Sequence, residues 1–341
     1  MPWTEDPDAP IDAKHATPVP GKSLRAFNQT LTDMQLVAES VVRDQKRLRD
    51  DLDSRVSKQL AFLGEENLKN SSAVKNLLAM GKAGRPMFVR YDDNPLDLES
   101  VLPGVTVRVL GPPDLEQSKE IKSMRSKDAT QFWMLQAEAS KGMDQQPEVP
   151  GNIFRPGFGN SVSRSHLFPP HTRWFIRRMN AFRGNQLLSL VRILDGVLNN
   201  TSIILLFEVG GRKLLFPGDA QIENWNYALS RPGIDKLLED VDVYKVGHHG
   251  SRNANPISIW NGFKKKRNGS TSGDESNSGA DVLRTFMSTM AGKHGGHNPK
   301  DHTEVPRESL VEALQKESVH FSTQMLKADE LCEEFDIPLK H

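Results

Sequence analysis

Residues 199–219 read NNTSIILLFEVGGRKLLFPGD, and residues 241–251 read VDVYKVGHHGS. In the first stretch, two apolar runs at 202–209 and 213–219 flank a two-glycine turn, a pattern that predicts a β-hairpin. Because both runs are nearly continuous in apolar residues, we expect strands buried on both faces of a sheet. The second stretch predicts a further strand at 241–247. Two apolar strands therefore each end in a polar motif.

Helices are predicted between and after these strands. Residues 222–240 have helical character with an interruption at Pro232 and Gly233. A further strand is predicted near 281–288, and a helix from about Pro306 to Lys316. Because strands and helices alternate along this part of the chain, the pattern favours an α/β layered domain.

The first half of the chain has a different texture. Apolar positions at helical spacing predict an amphipathic helix over 31–62, a shorter helix near 65–80, and an alternating β-branched strand at 101–110 that the prolines after Gly111 end. Residues 117–185 begin with a charged piece of helical character and continue into a stretch at 145–170 that is rich in Pro, Gly, Ser and Asn, which indicates a disordered insertion or a long surface loop. The predicted organisation is an N-terminal helical and linker segment (1–100), an α/β domain (101–116 and 186–323), the insertion (117–185) and a C-terminal tail (324–341).

Composition excludes several function classes. In 341 residues, 44 Lys and Arg balance 44 Asp and Glu, so net charge gives no whole-molecule attraction to nucleic acid or acidic membranes. The single cysteine, Cys332, excludes an intrachain disulfide and a cysteine-based zinc finger. Since no apolar run approaches the roughly 18 residues of a membrane span, we expect a soluble, cytoplasmic protein without a membrane partner.

The two polar motifs contain the candidate site. Asp219 ends one predicted strand, at the rim of a sheet, where ligands tend to bind; the alternative is that it caps the following helix. His248 and His249 end the other strand between two glycines, and neutral imidazole is a good metal ligand. A carboxylate and an imidazole at the rim of one sheet predict a metal site.

GDA at 218–220 and HHGS at 248–251, with the strands before them, resemble the second half of the metallo-β-lactamase superfamily, in the branch similar to the hydrolase domain of competence-type DNA-uptake proteins. The resemblance implies an α/β four-layer αββα sandwich, represented mostly by its second half and carrying helical and disordered insertions. It also implies two divalent ions, zinc or manganese, with Asp219 bridging them. Either His248 or His249 would bind the second ion, and the other would be its hydrogen-bonding neighbour or a proton donor.

The same resemblance implies metal-dependent hydrolysis of a phosphoester or nucleic acid. Where many superfamily members place another histidine ligand, this chain has the stretch 199–202. Five side chains are expected around the ligands: Asn200, Ser202, Lys245, Ser251 and His294.

One departure from the family is large. None of the ten histidines forms the H-x-H-x-D-H motif that supplies most ligands of the first metal, whereas a catalytic zinc normally needs three protein ligands. Residues 2–10, PWTEDPDAP, resemble sequence that follows that motif in related chains. We therefore expect a truncated fold that is inactive alone. The alternatives are one subunit of a split metallo-hydrolase, completed by a separately encoded N-terminal half, and a non-catalytic interaction module.

Three other clusters have simpler explanations. The loop histidines His294, His297 and His302 are more typical of an exposed segment than of a metal cluster. The basic run 264–267 is more typical of a solvated loop than of a phosphate site. The arginines and aromatic residues of 173–183 have the composition of a single-strand nucleic-acid surface, but an amphipathic helix that packs its aromatic face inward is the simpler and preferred explanation.

Overall fold

The structure is a computed structural model. It describes residues 1–5, 73, 75–84, 86–93, 98–114, 116–118, 199–251, 253–267, 281–290, 305–327 and 330–340. The chain forms two compact units, one of Met1–Trp3, Met87–Ile121 and Asn199–His341, the other of Thr4–Pro86 and Lys122–Leu198. In the second unit residues 75–83 are helical, within and just beyond the helix predicted near 65–80. The predicted helix at 31–62 and nearly all of the insertion lie outside the described residues.

The first unit is built on a six-stranded sheet whose strands lie side by side in chain order. They are β1 (Val105–Gly111), β2 (Ile204–Val209), β3 (Arg212–Phe216), β4 (Val243–Lys245), β5 (Arg284–Met287) and β6 (Val319–Ser322). β1, β2 and β3 pair antiparallel, and β3 to β6 pair parallel. The predicted hairpin and the mixed α/β class are confirmed.

Short helices connect the strands. They are α1 (Leu98–Val101), α2 (Ile222–Leu229), α3 (Ile234–Glu239), α4 (Ile257–Gly262) and α5 (Glu308–Glu317). α2 and α3 are separated at the predicted interruption, where Gly233 has a φ of +81° that suits glycine. Neither α4 nor β6 was predicted. Among the described helices, none combines the length and apolar character that a membrane crossing needs.

One face of the sheet carries the main core. Leu206, Leu215 and Tyr244 lie side by side in the register of β2, β3 and β4, and all three are buried. Trp225 of α2 packs in the same cluster and is 0% exposed. Its indole N–H donates to the carbonyl of Ala254 at 3.1 Å. The core therefore links α2 to the segment that follows the histidine motif.

The opposite face is also apolar but only half-buried. Register pairs Phe207 with Leu214 and Phe286 with Phe321 on this face, and none of the four side chains is fully buried. Phe335, from the C-terminal segment, lies on the second pair, with ring centroids 5.1 and 4.9 Å from Phe286 and Phe321. The prediction of strands buried on both faces therefore holds only in part.

The C-terminal segment 330–340 forms neither a helix nor a strand and returns to the hairpin. The Lys340 N–H donates to the Gly210 carbonyl at 2.7 Å, and Arg212 Nε donates to the Pro338 carbonyl at 2.8 Å. These bonds fasten the segment predicted as a tail to the two-glycine turn between β2 and β3.

Candidate metal site at the carboxyl edge of the sheet

The parallel strands bring several loops to one edge of the sheet. Because β3, β4 and β5 run in the same direction, the segments 217–220 and 247–251 and residue Ser288 all follow strand ends at that edge. β2 is antiparallel to β3, so the stretch 199–202 before it begins at the same edge. Edges of this kind, at the carboxyl ends of parallel strands, are where α/β proteins bind ligands.

Asp219 lies in a tight turn directly after β3. The Ala220 N–H donates to the Pro217 carbonyl at 3.1 Å, and Gly218 has a φ of +56°. The N-cap residue of α2 is Gln221, two residues beyond Asp219. Helix capping therefore does not explain the half-buried carboxylate of Asp219 at the rim.

The turn containing Asp219 is joined to the histidine motif. The backbone N–H of His248 donates to the Gly218 carbonyl at 3.2 Å. Gly247 approaches equally closely, since a Cβ at this position would lie 3.2 Å from the same carbonyl oxygen. The two motifs, about 30 residues apart in sequence, are backbone neighbours at one edge.

Both histidines have an unusual backbone conformation. His248 and His249 have φ values of +41° and +55°, in the left-handed region. This region costs roughly 1–2 kcal/mol for a residue with a Cβ, and such outliers cluster at functional sites because the surrounding structure must hold them. Gly250 continues the same hand with a φ of +82°.

The two imidazoles have different surroundings. His249 Nδ1 lies 2.9 Å from the Ser288 carbonyl. Since a carbonyl only accepts, Nδ1 carries the proton, and in a neutral ring the lone pair is on Nε2, the arrangement common to metal-binding histidines. His248 Nδ1 is buried and has no hydrogen-bond partner within the described residues. A buried, unsatisfied ring nitrogen of this kind calls for a missing partner such as an ion.

Lys245 adds positive charge to this edge. Burial lowers the pKa of Lys245, and the negative charge of Asp219 partly opposes that effect. Its ammonium donates to the Val246 carbonyl at 3.3 Å. The carboxylate predicted as a metal ligand thus already has a cation in its electrostatic range.

The stretch 199–202 is held against α2. The buried Asn200 side chain donates to Glu223 Oε2 at 2.9 Å. Asn224 donates to the carbonyls of Asn200 and Ser202, at 3.1 and 2.8 Å. Through these bonds Asn200 faces α2, while the Cβ of Ser202 lies 3.6 Å from where a Cβ at Gly218 would be.

Two predicted neighbours of the site remain. The hydroxyl of Ser251 is buried without a hydrogen-bond partner in the described part of the chain. His294 lies outside the described residues, as do His297, His302 and the stretch 173–183.

Sequence reasoning missed Asn255. Its side-chain amide makes four hydrogen bonds around the histidine turn, to Tyr244, to both backbone groups of Gly247 and to Ser251. The available signal was an asparagine close to a glycine-bracketed turn, since Asn side chains readily bond to nearby backbone.

The basic run 264–267 is largely neutralised by its own surroundings. Lys264 pairs with Glu239. Lys265 pairs with Asp242 at 2.9 Å, and Lys266 with Glu317 at 3.1 Å. Three of the four positive charges are therefore paired with carboxylates of the same domain, and the run gives little support to a phosphate site.

Within the described ranges, no three side chains of His, Cys, Asp or Glu come together as a metal-binding group. Comparison of the chain with protein-family models, curated proteins and solved structures finds no match in any of the three.

Proposed function

We propose that the carboxyl edge of the sheet is part of the metal site of a hydrolase similar to the metallo-β-lactamase superfamily, acting on a phosphoester such as a nucleic-acid backbone. One observation carries the proposal: the turn bearing Asp219 is hydrogen-bonded to the turn bearing two left-handed histidines, through His248 N–H and the Gly218 carbonyl at 3.2 Å. The backbone segments that carry a carboxylate and two imidazoles are therefore adjacent, which supports a shared cation site.

The sheet supports the corresponding fold. A sheet with apolar side chains on both faces needs a covering layer on each. One face has its helical layer, while the other is half-buried and partly covered by Phe335. A second sheet on that face, with its own helical layer, would give the four-layer sandwich that the resemblance implies.

In the proposed site, Asp219 would hold the ions together with His248 or His249. Divalent ions, zinc or manganese, supply Lewis acidity and lower the pKa of bound water. The Ser288 carbonyl fixes the protonated nitrogen of His249, which would orient its other nitrogen. Lys245 would add positive charge for the anionic oxygens of a phosphoester.

The remaining ligands would come from elsewhere. A catalytic zinc site keeps three protein ligands and an open position, more than the described residues bring together. We expect the missing ones from an H-x-H-x-D-H segment, which in the split-enzyme form of the proposal is supplied by a partner chain.

The second candidate is a metal-free interaction module. The lack of a three-ligand group among the described residues favours it, as does the half-buried apolar face, where Phe216 is 38% exposed. In that case Lys245, rather than a metal ion, is the lasting counter-charge of Asp219.

Metal content and turnover distinguish these functions. The full chain, alone and co-expressed with an H-x-H-x-D-H-bearing chain, is assayed for bound zinc and manganese and for hydrolysis of bis-p-nitrophenyl phosphate. Two bound ions and turnover only in the complex, both lost in Asp219→Ala and kept in Asp235→Ala, support the hydrolase; Asp235 is an exposed aspartate on α3. Absence of metal from both preparations supports the module, and unchanged turnover in Asp219→Ala contradicts the ligand assignment.

A further inference from the structure

Asn255 lies four residues after Ser251, at the start of the segment leading into α4. Its Oδ1 accepts from the Tyr244 hydroxyl at 2.7 Å and from the Gly247 N–H at 3.0 Å. Its Nδ2 donates to the carbonyls of Gly247 at 3.0 Å and Ser251 at 2.7 Å. One amide therefore accepts two hydrogen bonds and donates two. Three of the four partner groups belong to Gly247 and Ser251, at the two ends of the histidine turn.

The orientation of this amide is chemically determined. The Gly247 N–H can only donate and the two carbonyls can only accept, so exchanging Oδ1 and Nδ2 would break three of the four bonds. Tyr244, the fourth partner, is buried in the core, and burial raises the pKa of its phenol. The phenol therefore remains a hydrogen-bond donor, and Asn255 is fixed to the sheet.

The hydrogen bonds of Asn255 lie on either side of His248 and His249, the two residues with a left-handed backbone. Gly247 precedes His248, and Ser251 follows Gly250, so Asn255 fastens the first and last residues of the turn to each other. Within the turn, the Gly250 N–H donates to the Gly247 carbonyl and the Ser251 N–H donates to the His248 carbonyl, both at 2.9 Å. A strained conformation persists only where neighbours over-determine it.

We propose that Asn255 is a positioning residue for His248 and His249: it holds their left-handed backbone and thereby sets the direction of both imidazoles. Its consequence for metal binding rests on the proposed function, whereas its effect on the turn does not. Asn255 itself would touch neither metal nor substrate.

Amide hydrogen exchange tests the backbone part. In Asn255→Ala, the Gly247 N–H loses its acceptor, and its exchange should accelerate about fivefold or more relative to Val246. Val246 is the internal reference because its N–H bonds to the Phe286 carbonyl at 2.8 Å, independently of Asn255. Asn253→Ala, at an exposed asparagine of the same loop, is the matched control and should leave the ratio unchanged.

Asn255→Asp separates the hydrogen bonds that Asn255 accepts from those that it donates. A carboxylate still accepts from the Gly247 N–H but cannot donate to the two carbonyls. The Gly247 amide should therefore stay protected, while the carbonyl ¹³C resonances of Gly247 and Ser251 and the ring resonances of both histidines shift. This variant also guards against an Asn255→Ala chain that fails to fold.

A zinc titration with the metal salt alone then connects the turn to the site. If the wild type binds zinc, Asn255→Ala should weaken binding about tenfold more than Asn253→Ala does. If the wild type binds none in any preparation, the proposed function fails, and the exchange ratio still decides the role of Asn255. Equal acceleration at Gly247 and Val246, or histidine resonances unchanged in both Asn255 variants, would overturn the positioning role.

Discussion

The backbone N–H of His248 donates to the carbonyl of Gly218 at 3.2 Å, which makes the end of β4 a direct neighbour of the end of β3. Gly218 precedes Asp219, and His248 begins the histidine pair. This backbone bond extends the parallel pairing of β3 and β4 to the two motifs, so their proximity depends on main-chain packing rather than on the side chains themselves. The space between the two strand ends should therefore be sensitive to added volume.

Gly247→Ala is predicted to disturb this junction. A Cβ at Gly247 would lie 3.2 Å from the carbonyl oxygens of both Gly218 and Ala254, tighter than an ordinary contact. Forcing the strand ends apart should cost about 1–3 kcal/mol in the free energy of unfolding and weaken any zinc binding. Urea unfolding and calorimetric titration measure both effects.

Gly262→Ala is the matched control. A Cβ there meets nothing within 4 Å, and the residue lies at the end of α4. Alanine in a helix should be neutral or stabilising by up to about 1 kcal/mol. A Gly247→Ala protein as stable as Gly262→Ala would show that the junction is not tightly packed.

The strands of this edge were predictable because each carries a local signal. β2 and β3 are continuous apolar runs around Gly210 and Gly211, and both glycines have the positive φ that the turn needs. Local sequence also placed the interruption near Gly233. These features depend on residues adjacent in the chain.

β6 and Asn255 escaped prediction because their partners are distant or polar. β6 has only four residues, and its pairing with β5 requires a register that sequence does not show. Asn255 acts through backbone groups of Gly247 and Ser251, which any sequence would supply. The convergence of the two motifs was predicted because both follow strands of one sheet. The hydrogen bond between His248 N–H and the Gly218 carbonyl has no signature in the sequence.

Asp242 is predicted to make stability depend on pH in acid. Burial alone would raise the pKa of Asp242, but hydrogen bonds from Lys265, the Lys213 N–H, Arg212 and Lys340 outweigh it and lower the pKa to about 2. The folded state then binds fewer protons than the unfolded chain, whose Asp pKa is 3.8. The resulting stabilisation, roughly 2 kcal/mol, is fully present above that value and is lost as pH falls towards 2.

Urea unfolding of the wild type and of Asp242→Asn between pH 5 and pH 2 measures this contribution. The variant leaves Arg212, which is 3% exposed at its side chain, without its buried partner, so at pH 5 it should lose about 3–5 kcal/mol. The difference between the two proteins should shrink as pH falls. A constant difference over this range would contradict the low pKa.

His320 is predicted to make the stability of the fold depend on pH near neutrality. Ser318 Oγ donates to the Leu314 carbonyl at 2.6 Å, so it accepts from Thr285 Oγ1 at 2.7 Å, and Thr285 in turn accepts from His320 Nδ1 at 2.9 Å. The neutral ring completes this chain. His320 Nε2 is buried without a partner among the described residues, and burial lowers the pKa of the ring.

Because the folded state disfavours the protonated ring, stability should be constant above the ordinary histidine pKa of 6.5 and decline as pH falls below it. Thermal unfolding of the wild type and of His320→Gln at pH 8 and pH 5.5 tests the sign. The gap between the two proteins should be larger at pH 8. A wild type that gains stability relative to the variant on acidification would mean that the ring is charged in the fold.

Trp225→Phe is predicted to alter the conformation of the histidine turn, because Trp225 contacts the segment after that turn through the core. The change removes the N–H that bonds to the Ala254 carbonyl at 3.1 Å and leaves a buried acceptor unsatisfied, at a cost of about 1–3 kcal/mol. Ala254 precedes Asn255, so the loosened segment should shift the ring resonances of His248 and His249. Trp260→Phe is the control, because the Trp260 indole bonds to Glu317 at 3.1 Å, on a different element. Both variants should lose stability, but only Trp225→Phe should move the histidine resonances; equal shifts in both would mean that α2 does not brace the site.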